Sequence, residues 1–278
     1  MVVFYALIAA AAFGTADFLG GFSTQKNHAI TTVFWAQGAG LFTVLIAAPI
    51  IGAENVDFMD ILWGMAGGVS GAFGLLYLFE GLSTGMASIV SPVAALTGAA
   101  FPVLFGFLTG ERPPLLTWAG VALLLPAIML MSWEREEKKD HVLLSLQRGL
   151  LSGILFGAFF IFLSRTSDTS GMWPLAAARA STIPLFLVLS RLRNIRITLI
   201  PGTKRITWVS GFLDMAANVF YLLAARTGYL IIAVILSALY PAQTVVLQKV
   251  LLHEKLSIFR MTGLILSIIG AVLIGIGS

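Results

Sequence analysis

Three ionisable residues stand inside long apolar stretches of this chain: Asp17, Arg179 and Asp214. An ionised side chain in a bilayer centre costs about 2.5 kcal/mol or more unless it is paired or wet, which makes each a candidate for function. Asp17 lies about four residues from the end of its stretch, so it either faces an internal cavity or reaches the interface. Arg179 is either a cavity cation or the partner of a buried acid. Asp214 is followed by Asn218 and Tyr221, spacings of four and seven that put all three on one helical face. That face lines a cavity or makes interhelical hydrogen bonds. The expectation is that Arg179 meets it, because an unpaired cation and an unpaired anion in one bundle would each be costly. If the two do not touch, substrate or water should bridge them, with a substrate carboxylate near Arg179.

A weaker polar stripe follows at helical spacing: Ser237, Tyr240, Thr244 and Gln248, bordered by Gln243. Within it Pro241 removes a backbone donor near mid-span, which bends the helix or frees a carbonyl for a polar contact. Gln37, close to Phe34 and Trp35, supplies an amide and aromatic surface to the same cavity. The substrate-binding candidates are therefore Trp35, Gln37, Arg179, Asp214, Asn218, Tyr221, Tyr240 and Gln243. Asp17 and Asp214 are the carboxylates available to carry a coupling proton.

Other chemistries find little material. His28, His141 and His253 all lie in connectors, and there is no cysteine. The Gly68-Val69-Ser70-Gly71 stretch has no histidine at its depth to activate the hydroxyl. An aspartyl pair keeps an intramembrane enzyme as a remote alternative. No Gly-x-x-x-x-Gly-Lys-Ser/Thr loop occurs, so direct nucleotide coupling is unsupported. Neither a metal site nor a cofactor is expected. Glu111 and Glu254 resemble proton carriers, but both sit at helix starts, where an anion complements the macrodipole, and capping is preferred.

These residues are positioned by ten apolar runs, roughly 3–21, 29–51, 59–79, 86–108, 115–133, 146–164, 172–190, 206–225, 229–252 and 257–277. About 20 residues rising 1.5 Å each cross the hydrocarbon core, and unpaired backbone is not tolerated there, so each run must be helical. Composition agrees: 58% apolar, 11% charged, mean hydropathy +0.96. The first run lacks a basic leader and continues past Asp17, so it reads as a retained helix rather than a signal peptide. The chain is an all-α, multi-pass membrane protein, expected in the cell (inner or plasma) membrane and in contact with its lipid. In the third run Gly64, Gly67, Gly68, Gly71 and Gly74 form a face with almost no side chain, suited to close helix packing. Pro92, Pro102, Pro126 and Pro184 are assigned to hinges and packing, none to substrate.

The isoelectric point near 9.6 reflects topology rather than nucleic acid. Thirteen of the 17 basic residues fall in or beside loops that follow odd-numbered runs, five of them between Arg191 and Arg205 without an acid. The positive-inside rule places those loops in the cytoplasm and both termini outside. The mixed charge run 134–140 is a solvated connector.

Shifting the chain by 143 residues superposes Phe13-Gly14 on Phe156-Gly157, Thr84-Gly85 on Thr227-Gly228, Glu111-Arg112 on Glu254-Lys255, and Gly120 on Gly263. One offset from first helix to last implies two five-helix halves, and an odd number per half inverts the second. The expected division is 1–133, a cytoplasmic connector 134–145, and 146–278.

Ten spans in two such halves resemble the drug/metabolite transporter superfamily, and specifically its EamA-type family. The resemblance covers essentially the whole chain. Gly14 and Gly157 carry it, with the late pattern of Pro241, Glu254-Lys255-Leu256, Gly263 and Gly270. The first half departs from this pattern, with Gly98 where proline would stand. The resemblance implies a central cavity lined mainly by helices 1–4 and 6–9, with helices 5 and 10 peripheral. It also implies small metabolites, amino acids or drugs as substrates, and leans towards export. The resulting expectation is a secondary transporter with alternating access for a small polar or amphipathic, amino-acid-like metabolite. The alternative is a non-transporting scaffold or helper subunit.

Overall fold

The computed structural model describes residues 1–83, 87–133, 142–253 and 255–278. The connector run 134–140, His141, the Thr84-Gly85 pair and Glu254 lie outside the described residues. The rest is helical: α1 (Val2–Thr24), α2 (Ala29–Ile51), α3 (Phe58–Ser83), α4 (Ala87–Leu108), α5 (Leu115–Met131), α6 (Val142–Ser164), α7 (Trp173–Leu192), α8 (Lys204–Thr227), α9 (Leu230–Ser237), α10 (Tyr240–Leu252) and α11 (Ile258–Gly277). Among the described residues nine segments are long and apolar enough to cross a bilayer, counting Leu230–Leu252 as one. The shorter apolar helix Leu115–Met131 supplies the tenth span.

The ninth run is the one that departs from a single continuous helix. It breaks at Ala238-Leu239, and α10 restarts with Pro241 in its first turn. Proline lacks an N–H and its ring collides with the carbonyl four residues back, so a first-turn position suits it and an interior one does not. Pro49, Pro92, Pro102, Pro126 and Pro184 nevertheless sit inside helices that run through them. Every residue of α9 is buried, so this short helix is enclosed on all sides. Large apolar side chains elsewhere face outward, among them Phe42, Ile46, Ile50, Leu192, Ile268 and Ile276. Such a surface suits lipid rather than water.

The helices pair in a pattern that is its own mirror under exchange of halves. α1 packs on α8 as α3 packs on α6; α2 packs on α8 as α7 packs on α3; α5 and α11 pair together. The contacts repeat residue by residue. Gly120 lies against Gly270 and Ile274, while Gly263 lies against Ala127 and Met131, each contact displaced by the offset read from the sequence. A side chain at either glycine would meet its neighbour at under 3.0 Å. The bare face of α3 is used for packing: Gly64 abuts the Pro174 carbonyl, Gly68 the Ala178 carbonyl, and Gly74 the Phe156 ring.

Candidate functional site

Arg179 is the centre of the polar interior. Its side chain is only 9% exposed, and its two terminal nitrogens are both engaged. Nη1 donates to Gln37 Oε1 on α2, and Nη2 forms an ion pair with Asp214 Oδ2 on α8. Thr182 closes the ring, donating to the Arg179 carbonyl at 3.1 Å with its hydroxyl 3.4 Å from Gln37 Oε1. The guanidinium fits because α2 carries Gly40 beside it: a Cβ there would lie 3.2 Å from Nε. Close backbone approach brings α8 in, since Gly211 rests on the Ala36 carbonyl. Gln37 and Arg179 stand 142 residues apart, nearly the repeat offset, so they meet close to the pseudo-twofold axis. The cost of burying unpaired charge anticipated a meeting of Arg179 with Asp214. It did not identify Gln37 as the second partner, since an amide in a second helix carries no register information.

The Asp214 face divides. Asn218 Nδ2 donates to the Asp214 carbonyl at 2.7 Å and lies 3.4 Å from Oδ2, continuing the polar surface. Tyr221, one turn further, is fully buried and donates to the Phe160 carbonyl on α6 at 2.8 Å, with its ring 4.6 Å from that of Phe160. A common helical face does not keep groups at one depth: seven residues advance about 10 Å along the axis, where a different helix is the neighbour.

Across from Asp214 lies α1. Ser210 donates to the Ala16 carbonyl at 2.7 Å, which sets Asp17 at the level of the next turn of α8. Asp17 is exposed, interacts electrostatically with both Asp214 and Tyr240, and makes no hydrogen bond or ion pair among the described residues. Tyr240 and Gln243 of α10 pack against α1 one turn before Asp17, at Gly14. Gly14 makes that possible, because a Cβ there would collide with the Tyr240 carbonyl and lie 2.6 Å from Gln243 Cβ. Gln243 Nε2 lies 3.4 Å from Thr15 Oγ1, and Thr244 donates to the Gly14 carbonyl at 3.0 Å. The stripe expected along the ninth span is cut by its break: Ser237 ends α9 buried, and Gln248 turns to Arg260 on α11.

Trp35 stands apart from this group. Its indole donates to the Ile197 carbonyl at 2.7 Å and, with Trp208, Thr198, Leu199 and Lys204, it lines a pocket of about 310 Å³ in front of the α7–α8 loop. Residues two apart on a helix do not share a face, so Trp35 and Gln37 diverge. Glu111 is a cap, though not of the helix that follows it: its carboxylate accepts from the Leu230 and Ile231 N–H groups at 2.7 and 2.9 Å, holding the start of α9.

Both ends of the bundle carry polar ties that no motif announced. At one end Asn27 donates to Thr203 Oγ1 at 2.9 Å and accepts from the Ile200 N–H at 2.8 Å, joining the α1–α2 and α7–α8 loops. At the other, Asp60 accepts from the Ser167 N–H and hydroxyl, and Arg226 pairs with Asp168 at 3.1 Å while donating to the Gly171 carbonyl at 2.9 Å. Among the described residues no three His, Cys, Asp or Glu side chains gather where they could hold a metal.

A solved crystal structure superposes on 98% of this chain and 95% of its own, with a TM-score of 0.80 and 17% identity, a likeness of fold alone. No curated protein matches the sequence. The model of the EamA-like transporter family matches twice, over residues 1–133 and 144–276. The reciprocal packing of the two halves and the doubled match agree on one conclusion: the chain belongs to the EamA-like transporter family, within the drug/metabolite transporter superfamily, and is a multi-pass membrane transporter.

Proposed function

We propose that this protein is a secondary transporter that moves a small polar or amphipathic metabolite by alternating access, in the export direction. The observation that carries the reading is the Gln37–Arg179–Asp214 contact. It joins α2 of the first half to α7 and α8 of the second near the pseudo-twofold axis, where two inverted bundles rock about a shared site. The Asp60–Ser167 tie at one end and the Asn27 ties at the other join the two halves, and are the contacts such rocking would break in turn. Asp17, rather than the paired Asp214, is the coupling carboxylate of this reading, with Asp214 on α8 and Tyr240 on α10 as its polar surroundings.

Purified protein in liposomes should exchange labelled metabolite across the membrane. A chain that binds metabolites but passes none would instead be a helper subunit. The same reading sets both termini outside and the Arg191–Arg205 segment in the cytoplasm. Thr203 is buried, so Arg205→Cys and Ser278→Cys are the appropriate labelling sites. On intact cells an impermeant maleimide should label the second and spare the first. The converse pattern inverts the topology.

A further inference from the structure

Two residues turn a helix by about 200°, so Trp35 faces away from Gln37, and Phe212, one turn beyond Trp208, faces away from Asp214. The Trp35 and Trp208 rings lie 6.3 Å apart between centroids, where α2 packs on α8. With Ile197, Thr198, Leu199 and Lys204 they enclose about 310 Å³, the low end of small-molecule sites at roughly 300 Å³. The Trp35 N–H is spent on the Ile197 carbonyl, so both rings offer the cavity an apolar wall. Trp35 is six residues into α2 and Trp208 four into α8, about 9 and 6 Å from the helix starts. That is the interfacial depth at which tryptophan concentrates in membrane proteins. Towards the middle of the bilayer the exposed surface continues through Phe212, Phe42 and Ile46. Towards the loops it becomes basic. The α1–α2 and α7–α8 loops, tied together by Asn27, carry Lys26 and the basic residues between Arg191 and Arg205, with no acid. Glu80 of α3 pairs with Arg193. Arg196, Lys204 and Arg205 are exposed and make no ion pair among the described residues.

We propose that this pocket seats an anionic phospholipid, with its phosphate at Lys204 and the start of an acyl chain against the two indoles. The cavity is too small for a whole lipid, so the chains continue along the exposed stripe of Phe212, Phe42 and Ile46. Lysine meets phosphate as a point charge with three donors, and Arg196 and Arg205 add to the same field. A soluble anion would use the lysine and leave the indole wall and the stripe beyond it bare. A neutral lipid would use the wall and leave the charge unmatched. The site lies apart from the Gln37–Arg179–Asp214 contact and does not rest on the transport reading.

The test uses the full chain, stripped of lipid in a neutral detergent, with dioleoyl phosphatidylglycerol, dioleoyl phosphatidylcholine and soluble glycerol phosphate as probes. Ligand that binds the native state raises the melting temperature. Phosphatidylglycerol should protect at a concentration about five-fold or more below phosphatidylcholine, the weight of one basic residue near an anionic surface, and glycerol phosphate should not protect. Lys204→Gln should lower the preference about five-fold, whereas Lys249→Gln, on α10 away from the pocket, should leave it unchanged. Trp208→Ala should weaken protection by both lipids. Thr198→Trp fills the cavity from an exposed position and should do the same, which keeps the test decisive if Trp208→Ala fails to fold. Equal protection by the two lipids, or a preference untouched by Lys204→Gln, would overturn the proposal. So would protection by glycerol phosphate as strong as by the lipid, which makes the occupant a soluble anion. Phosphatidylglycerol protection that survives every folded pocket variant would reduce the effect to diffuse surface charge and overturn it as well.

Discussion

The α1–α8 crossing and the α3–α6 crossing are the same piece of architecture used twice, and their interiors are opposites. Ser210 of α8 reaches the Ala16 carbonyl; its counterpart Gly67 of α3 lies 3.5 Å, by its absent Cβ, from the Phe159 carbonyl. Moving by the offset, Asp17 becomes Phe160, Asp214 becomes Gly71 and Asn218 becomes Leu75. At the α3–α6 crossing Phe159 lies against Gly71, and Phe160 of α6 packs instead on Phe13 of α1 and Tyr221 of α8. Backbone geometry is thus shared between the halves while chemistry is not. Glycine and alanine at the crossings fix how closely helices approach, and that requirement binds both copies. Which side chain fills the remaining space is free to differ, and one copy carries aromatic rings where the other carries polar groups.

If that contrast is right, substitutions at matched positions should have unlike effects. The largest belongs to Arg179→Ala, which leaves Asp214 as a desolvated, unpaired carboxylate. Breaking one partner of a buried pair costs about 3–5 kcal/mol, and Asp214, with 36% of its side chain exposed, should bring the loss to the low end of that range. Thermal unfolding in detergent should show it, and Arg179→Leu with Asp214→Leu together should recover much of the stability. A single-residue loss below about 1 kcal/mol, the size of a surface pair, would mean the contact is not buried in the working protein.

Next in size is the matched pair Phe160→Ala and Asp17→Asn. Removing the ring should cost about 3 kcal/mol through the cavity it leaves, with flux per folded molecule preserved. Asp17→Asn should change stability by less than about 0.5 kcal/mol, as substitutions away from packed features do, yet abolish flux driven by an imposed gradient. Stability and flux measured on the same two variants decide it. Should Phe160→Ala also abolish flux per folded molecule, the aromatic joint is part of the transport path and the division of labour fails.

The backbone half of this contrast was legible in the sequence, because glycine spacing and apolar run length are direct physical requirements. The offset of 143 predicts that Gly120 and Gly263 stand in equivalent places, and their reciprocal contacts agree. The side-chain half was legible only where charge made burial expensive, as at Arg179 and Asp214. Neutral partners were not. Gln37 and the loop amide Asn27 resemble any other polar residue until a second helix is placed beside them. Tyr221 and Trp35 behave differently from these: each spends its one donor on a backbone carbonyl away from Arg179 and Asp214. The break in the ninth span was half visible. Pro241 marks the place, but whether a helix bends or stops depends on packing, and here α9 is enclosed while α10 is not.

That enclosed helix gives the smallest expected effect and a finer test of the comparison. Glu111 holds the N-terminus of α9 with two charge-assisted hydrogen bonds from 119 and 120 residues away, at the end of the bundle remote from Asn27. Glu111→Gln keeps an acceptor but loses the charge that complements the helix dipole, a change of about 0.3–1 kcal/mol. Glu111→Ala also strands two backbone donors, and about 1–2 kcal/mol is then expected. Neither variant touches Asp17 or Asp214, so binding at the polar crossing should be unchanged while unfolding shifts in the order Ala, then Gln. If Glu111→Gln instead abolished gradient-driven flux at nearly unchanged stability, the carboxylate would be a working group and its capping geometry one state of a cycle. Measuring melting temperature and flux together on both variants distinguishes a structural cap, which moves the first and spares the second, from a carrier, which does the opposite.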